Sequence, residues 1–386
     1  MNSPIRRSVS SRLADRSDKS DRAERPGRYP ELDIFNAAAC LLVILIHVLS
    51  VGISGLDRDS WQYAAVFFPW KLAAFVVPAF LFSGAVKLGM QLCGRIDAGQ
   101  PFTAGFYGSY MLRRVTKIYI PYLVWILIYF AVYAVCGLVE VSAASFFSSV
   151  LLGTVSAQFY YIVTVMQFWL MMPLWYFSLR RVPGVIGIPC ALAVTVLMQR
   201  LPILLENRGL FPALTPVFAY SDRFFASYMV FWAAGLYAGR YYDTLIGTLR
   251  RHRAAVYYSS LFVAGFSLLV YCQGRFQSWV YDANALKLVS DMLSILILLT
   301  LADHIRGSQM TRLRGLLSFI GEASFSVYLS HCLFLTVGTA LLQSVGVTKI
   351  APLILLRALI CYTLPFALYA AERAVRRRAG GMTAGR

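Results

Sequence analysis

The stretch IFNAAACLLVILIHVLSVGIS, residues 34–54, decides the fold. At 1.5 Å of rise per residue it is long enough to cross a hydrocarbon core of roughly 30 Å, and in lipid its backbone polar groups can be satisfied only within a helix. A cleavable signal has a short apolar core, and this run is long enough to stay as a membrane anchor. Residues 1–30, which precede it, hold eight Arg or Lys among many Ser, Asp and Glu, with almost no large apolar side chain. That composition predicts a disordered basic tail.

Outward from this stretch the pattern recurs. Further apolar segments lie near 64–88, 116–137, 159–179, 184–201, 224–241, 254–272, 286–303, 319–342 and 352–372, which predicts about ten transmembrane helices. The fifth is punctuated by Pro183, Pro189 and Pro202, which membrane helices tolerate better than soluble ones. Of the 386 residues 59% are hydrophobic and 14% charged, and the mean hydropathy is +0.63, outside the range of a soluble domain. The alternating strands of a β-barrel are absent. The expected fold is all-α and polytopic: a basic tail 1–30, a ten-helix membrane domain 31–372 and a second basic tail 373–386.

The net charge of +18 could suggest a nucleic-acid partner, but Lys and Arg are scattered among short connectors rather than gathered on one domain. Orientation accounts for them better. With the N-terminus inside, 27 of the 36 fall on the cytoplasmic connectors and tails and nine on the opposite side, the bias of the positive-inside rule. Both termini are therefore expected in the cytoplasm. Arg113–Arg114–Lys117, Arg180–Arg181, Arg250–Arg251–Arg253, Arg312–Arg314 and Arg376–Arg377–Arg378 read first as anchors beside anionic lipid. The seven cysteines lie mostly in apolar segments and show no metal or disulfide spacing.

Candidate chemistry begins with histidine. His252 and His304 sit in or beside basic connectors, whereas His47 and His331 lie within apolar helices, where an ionisable side chain is costly unless it faces a partner or a wet cavity. Each comes about 13 residues after the cytoplasmic start of its helix, a depth of roughly 20 Å. Asp291, near the outer end of the eighth segment, falls at a similar level, which suggests a buried polar layer of His47, His331 and Asp291. Asp33, Asn36, Cys40 and His47 share one face of the first helix; Ser324, Tyr328 and His331 form a stripe on the ninth. An imidazole so placed can take a proton from a sugar hydroxyl while a thioester carbonyl is attacked, or carry the acyl group itself. Arg113, Arg114 and Lys117, beside Tyr110 and Tyr119, suit the phosphates of an acyl-CoA.

These residues occur in an order that resembles the membrane acyltransferase-3 superfamily over about residues 31 to 372. ELDIFNAAACLLVILIH (31–47) is similar to a first-helix motif that ends in a catalytic His, VPAFLFSG (77–84) to a Pro–Phe–Ser–Gly signature, RRVTKIYIPYLVW (113–125) to a basic pair followed by Pro-Tyr, and IGEASFSVYLSH (320–331) to a late Ser–Tyr–Leu–His motif. FYYIVTVMQFWLMMPLW (159–175) looks most like the intercellular-adhesin and biofilm O-acyltransferase branch. The resemblance implies transfer of acetyl or succinyl from acyl-CoA to an exopolysaccharide or wall glycan at the bacterial cell membrane. It makes His47 catalytic and puts Arg113, Arg114 and Lys117 on the donor side; the residues themselves add His331, Asp291 and Tyr328 as catalytic candidates and Asn36 and Ser83 as donor-side candidates. A polysaccharide synthase is a further expected partner, and no permanently bound cofactor or metal is expected.

One position departs from the family. Eleven residues before His47 the family has Arg and this chain has Asn36, so either a neighbouring cation such as Lys71 or Lys87 takes its place, or the site works differently, or activity is lost; Lys117 likewise stands where a second Arg is usual. The competing readings are a glycan exporter or flippase and an inactive membrane partner of a synthase. Against transport, the sequence shows no internal repeat and no paired broken helices.

Overall fold

The computed structural model describes residues 29–207, 218, 220–273 and 283–383, so the expected N-terminal tail, apart from Tyr29 and Pro30, lies outside the described residues. Every regular element among them is helical. Helix α1, Pro30–Gly55, starts at a proline whose missing N–H costs nothing in a first turn, followed by Glu31 and Asp33, which favour the positive end of the helix dipole. After α1 come α2, Trp61–Leu72, and α3, Val76–Asp97, two parts of one apolar stretch broken at residues 73–75. Pro78 cannot donate to the carbonyl four residues back, so the break falls there.

Helix α4, Ala104–Arg114, continues through a π-helical turn, Val115–Tyr119, into α5, Ile120–Val135. Pro121 explains the turn: its ring would meet the Lys117 carbonyl of a regular helix, and the wider π turn relieves the clash. Then follow α6, Ala143–Leu152, α7, Tyr160–Leu170, and α8, Met172–Arg181, the last two meeting at a 56° bend beside Pro173. The indole Nε1 of Trp175 donates to the Phe168 carbonyl across the bend, at 2.7 Å. The chain ends with α9 (Gly184–Asn207), α10 (Met229–Arg240), α11 (Tyr242–Arg251), α12 (Arg253–Tyr258), α13 (Ser260–Gln273), α14 (Ala283–Gly307), α15 (Thr311–Ser344) and α16 (Ile350–Thr383).

Among the described residues eight helical stretches are long and apolar enough to cross a membrane, or nine if α7 and α8 form one bent span. The sixth expected span, 224–241, resolves differently. Two 3-10 turns, Ser221–Arg223 and Phe225–Tyr228, precede α10, whose 12 residues reach about 18 Å, too short for a core of roughly 30 Å. Its glycines press it against α3 instead: a Cβ on Gly235 would lie 2.5 Å from the Phe82 carbonyl oxygen, and one on Gly239 2.4 Å from that of Val86. This is the small-residue contact by which helices pack in lipid, where no hydrophobic force drives them together. The interruptions at 73–75 and at Met171 also correct the expectation of unbroken spans.

Helix α1 is central. It runs parallel to α15, with Gly321 against the Asp33 carbonyl, where a Cβ would be 2.8 Å away, then the Cys40 thiol to the Ser324 carbonyl, then His47 beside His331. Helix α16 runs antiparallel to both: the Tyr362 hydroxyl donates to the Leu41 carbonyl at 2.8 Å, and Arg357 reaches the His47 carbonyl. At the N-terminal end of α1, Glu31 accepts from the Tyr242 hydroxyl at 2.8 Å and faces Arg306 at 3.6 Å, while Asp303 takes a two-pronged bond from Arg250 at 2.7 and 2.8 Å. Burial and the Glu31 carboxylate push the Tyr242 phenol well above its usual range, keeping it a donor. That network ties α1, α11 and α14 together.

Candidate active site

The two intramembrane histidines meet. Their ring centroids lie 5.2 Å apart with planes tilted by 54°; His331 is fully buried and His47 half-buried. His331 Nδ1 is 2.8 Å from the Tyr328 carbonyl and 3.0 Å from that of Val327. Both are pure acceptors, so the proton is assigned to Nδ1 and the lone pair to Nε2. Nε2 in turn faces the Cys332 thiol at 3.3 Å. The ligating atoms of His47, His331 and Cys332 all lie within 4.8 Å of one another.

Adjacent residues on a helix do not normally face each other. Here the Tyr129 hydroxyl accepts from the Leu333 amide at 2.7 Å and donates to the Leu329 carbonyl at 3.0 Å, the pair an α-helix would join directly. A side chain set into the ladder in this way opens the turn that carries His331 and Cys332. Gln158 holds the tyrosine by donating to its oxygen at 3.0 Å, and the Gln158 carbonyl accepts from the Tyr328 hydroxyl.

On the other side of the pair stands Arg357, a guanidinium only 7% exposed. It donates to the carbonyls of His47 (2.8 Å) and Val48 (3.3 Å) and to Thr339 Oγ1 (2.7 Å). These bonds meet the requirement that a charge in lipid find partners, and they fix α1 at the turn that carries His47.

Not every expected residue joins this centre. Asp291 is buried, but it accepts from Lys287 at 2.5 Å and lies within electrostatic range of Lys71, with no bond to either imidazole; Lys71 sits over the Phe266 ring at 5.2 Å. The expected three-residue polar layer is thus a histidine pair, with Asp291 in a separate cluster beside α2, because Lys287 one turn away on its own helix captures the carboxylate. Tyr328 lies 6.2 Å from His331 between ring centroids, but its hydroxyl is committed to the Gln158 carbonyl, a clamp rather than an acid. Ser324 bonds back to the Gly321 carbonyl at 2.8 Å.

The donor-side residues divide as well. Arg113 and Lys117 are exposed on the α4–α5 segment, while the Arg114 guanidinium turns inward over the rings of Tyr110 (4.8 Å) and Trp169 (4.7 Å). Lys87 reaches Asp33 at 3.8 Å and feels the charge of Arg114. Asn36 is half-buried one turn beyond Asp33, so of the two candidate cations it is Lys87 that stands near it. Ser83, on the same face of α3 as Lys87, is 2% exposed and its hydroxyl has no hydrogen-bond partner among the described residues.

Residues 29–372 match the family model described as "Acyltransferase domain". The chain belongs to the acyltransferase-3 family. A relative from Bacillus subtilis (strain 168), YfiQ, is 22% identical over 344 residues, covering 86% of this chain and 88% of its own; it is named as a membrane-bound acyltransferase, an assignment its name marks as provisional. No solved structure matches.

Within this acyltransferase three residues of the centre escape the sequence reading. Arg357 was findable: it is a charge inside an apolar run, IAPLILLRALICYTLPF, and deserves the same suspicion as an intramembrane histidine. Tyr129 and Cys332 carry no such signal, because an aromatic or a thiol in a membrane helix is ordinary and only the fold gives it a partner.

Proposed function

We propose that this acyltransferase moves an acetyl or succinyl group from cytoplasmic acyl-CoA to a hydroxyl of an extracytoplasmic polysaccharide or wall glycan in the bacterial plasma membrane. The observation that carries the reading is the meeting of His47 and His331 at 5.2 Å in otherwise apolar helices. His47, the more accessible ring, acts as general base on the acceptor hydroxyl. Arg357 supplies positive charge beside the reacting carbonyl, where a low dielectric magnifies its effect.

Both termini lie in the cytoplasm in this reading, and the basic positions support it. Asp33, Lys87 and Arg114 gather at the N-terminal end of α1, and Asp33 stands about 21 Å along the helix from His47. Arg113, Arg114, Lys117 and Lys87 bind the donor phosphates, Asn36 and Ser83 line the way inward, and the thioester arm spans that distance. A likeness to biofilm glycan acyltransferases supports an exopolysaccharide acceptor made by a neighbouring synthase.

Purified protein in liposomes, supplied with radiolabelled acetyl-CoA, should release CoA and label a glycan, whereas an exporter would move unmodified polymer. His47→Ala should abolish transfer while the protein stays in the membrane. Turnover retained in that variant rejects the assignment.

A further inference from the structure

We propose that Cys332 is the nucleophile that carries the acyl group between donor and acceptor, so that transfer proceeds through an S-acyl cysteine. This rests on the acyl-transfer reading above and names how that site works. The Cys332 thiol stands 3.3 Å from His331 Nε2, within reach for the imidazole to take its proton. The ring is itself held by the carbonyls of Val327 and Tyr328, which turn the lone pair toward the sulfur. Nucleophile, base and orienting group therefore occur in sequence. The other buried thiols differ: Cys40 and Cys361 donate to the carbonyls of Ser324 and His331, and Cys93 lies beside Arg240.

Two more features favour the assignment. Arg357 is in electrostatic range of both His47 and Cys332, where negative charge develops during attack. The Tyr129 hydroxyl holds both the Leu333 amide and the Leu329 carbonyl on the turn that carries His331 and Cys332. Because Cys332 is only 6% exposed in an apolar interior, a standing thiolate is disfavoured; the proton leaves as the sulfur attacks.

In the first half-reaction Sγ attacks the thioester carbonyl carbon of acyl-CoA while its proton passes to His331 Nε2. The bond from that carbon to the CoA sulfur breaks, the departing thiolate takes the proton, and S-acyl Cys332 and free CoA result. In the second, the acceptor hydroxyl gives its proton to His47 as its oxygen attacks the acyl carbon. The bond to Sγ breaks, the sulfur recovers the proton from His47, and an ester is released. No redox partner is needed, and the nearness of His47 to Sγ suits the second exchange.

Acceptor is not required for the first half, which makes it testable. Full-length protein in nanodiscs is mixed with radiolabelled acetyl-CoA without glycan, quenched in acid and digested. The expected result is a burst of one CoA per chain and a label on the Cys332 peptide that neutral hydroxylamine removes. Cys332→Ala should lose burst and label, and Cys332→Ser should accumulate an ester that resists neutral hydroxylamine. His331→Gln should slow alkylation of Cys332 by N-ethylmaleimide at least tenfold, which Arg181→Ala, at an exposed arginine outside the site, should not. Label mapped on wild-type protein needs no variant to fold. The proposal is overturned if the label sits on His47, if glycan is acylated with no labelled cysteine, if Cys332→Ala transfers at the wild-type rate, or if a bound metal ion shields Cys332 from alkylation. Those results leave acyl transfer standing. Wild-type protein that neither releases CoA nor acylates any glycan from any acyl-CoA defeats both readings.

Discussion

The most informative single side chain outside the histidine pair is Tyr129. Its hydroxyl replaces a backbone bond of α15 and thereby shapes the turn beneath His331. In Tyr129→Phe the Leu333 amide can return to the Leu329 carbonyl, so the net cost to stability should be small, about 1 kcal/mol. Catalysis should suffer more, about tenfold in kcat, because a closed turn rotates Cys332 away from the imidazole; thermal unfolding and steady-state rates on one preparation separate the two effects. A second residue-scale prediction concerns the missing family arginine. If Lys87, held by Asp33 one turn from Asn36, supplies its charge, Lys87→Ala should raise KM for acyl-CoA about tenfold, or about 1.4 kcal/mol, and adding Asn36→Arg should restore it. Failure of the double variant to recover would mean that the two positions do not share a ligand. At this scale the sequence was readable where a residue violates its surroundings. His47 and His331 stand out because imidazole does not belong in lipid, and Arg357 should have stood out for the same reason. Cys332 and Tyr129 violate nothing until the fold places them, and Asp291 misled because depth alone does not reveal that Lys287, on its own helix, takes the carboxylate.

At the scale of the helix, apolar length located most of the spans because lipid leaves the backbone no other way to satisfy its polar groups. What length could not show is where a span is interrupted. Pro78, Pro121 and Pro173 are all visible in the sequence, yet one accompanies a break, one a π turn and one a 56° bend, and which of these occurs depends on what neighbouring groups can do for the freed carbonyls. Helix α10 shows the converse limit. Its composition reads as a span, but contact with α3 rather than lipid sets its length, and the signal lay in the spacing of Gly235 and Gly239. Gly235→Val and Gly239→Val would drive a side chain into the backbone of α3 and should destabilise by more than the ~1–3 kcal/mol usual for overpacking, since a backbone cannot swing aside. The corresponding change at Gly94, where nothing lies within 4 Å, should cost no more than its helix propensity. Detergent-solubilised yield and melting temperature of the three variants check this; an undisturbed Gly239→Val would mean that α3 and α10 are not in contact.

Across the whole molecule two polar centres sit at different depths along α1 and serve different ends. The network of Glu31, Tyr242, Arg250, Asp303 and Arg306 closes the end where the helix starts, whereas the pair of His47 and His331 lies beyond Asn36 and Cys40, about four helical turns on from Glu31. The first centre shares no residue with the second, so its loss should register as stability and not as chemistry. Asp303→Asn leaves the Arg250 and Arg306 guanidinium groups facing a neutral amide; the carboxylate is 9% exposed but Arg250 is 45% exposed, so water screens part of the loss, which should come to about 1–3 kcal/mol. The melting temperature in nanodiscs should fall by several degrees, while kcat and KM for acyl-CoA below that temperature stay within about twofold of the parent. Arg357→Met tests the opposite expectation at the second centre. It removes the donor to the His47 carbonyl and, in the proposed reaction, the positive charge beside the thioester, so kcat should drop at least a hundredfold, about 2.7 kcal/mol, the scale seen when an oxyanion donor is removed. If Asp303→Asn instead lowered kcat at a temperature where the protein remains folded, the two centres would be coupled through α1. That helix would then have to move during the reaction rather than serve as the fixed post on which donor phosphates at one end and the histidine pair at the other are held in register.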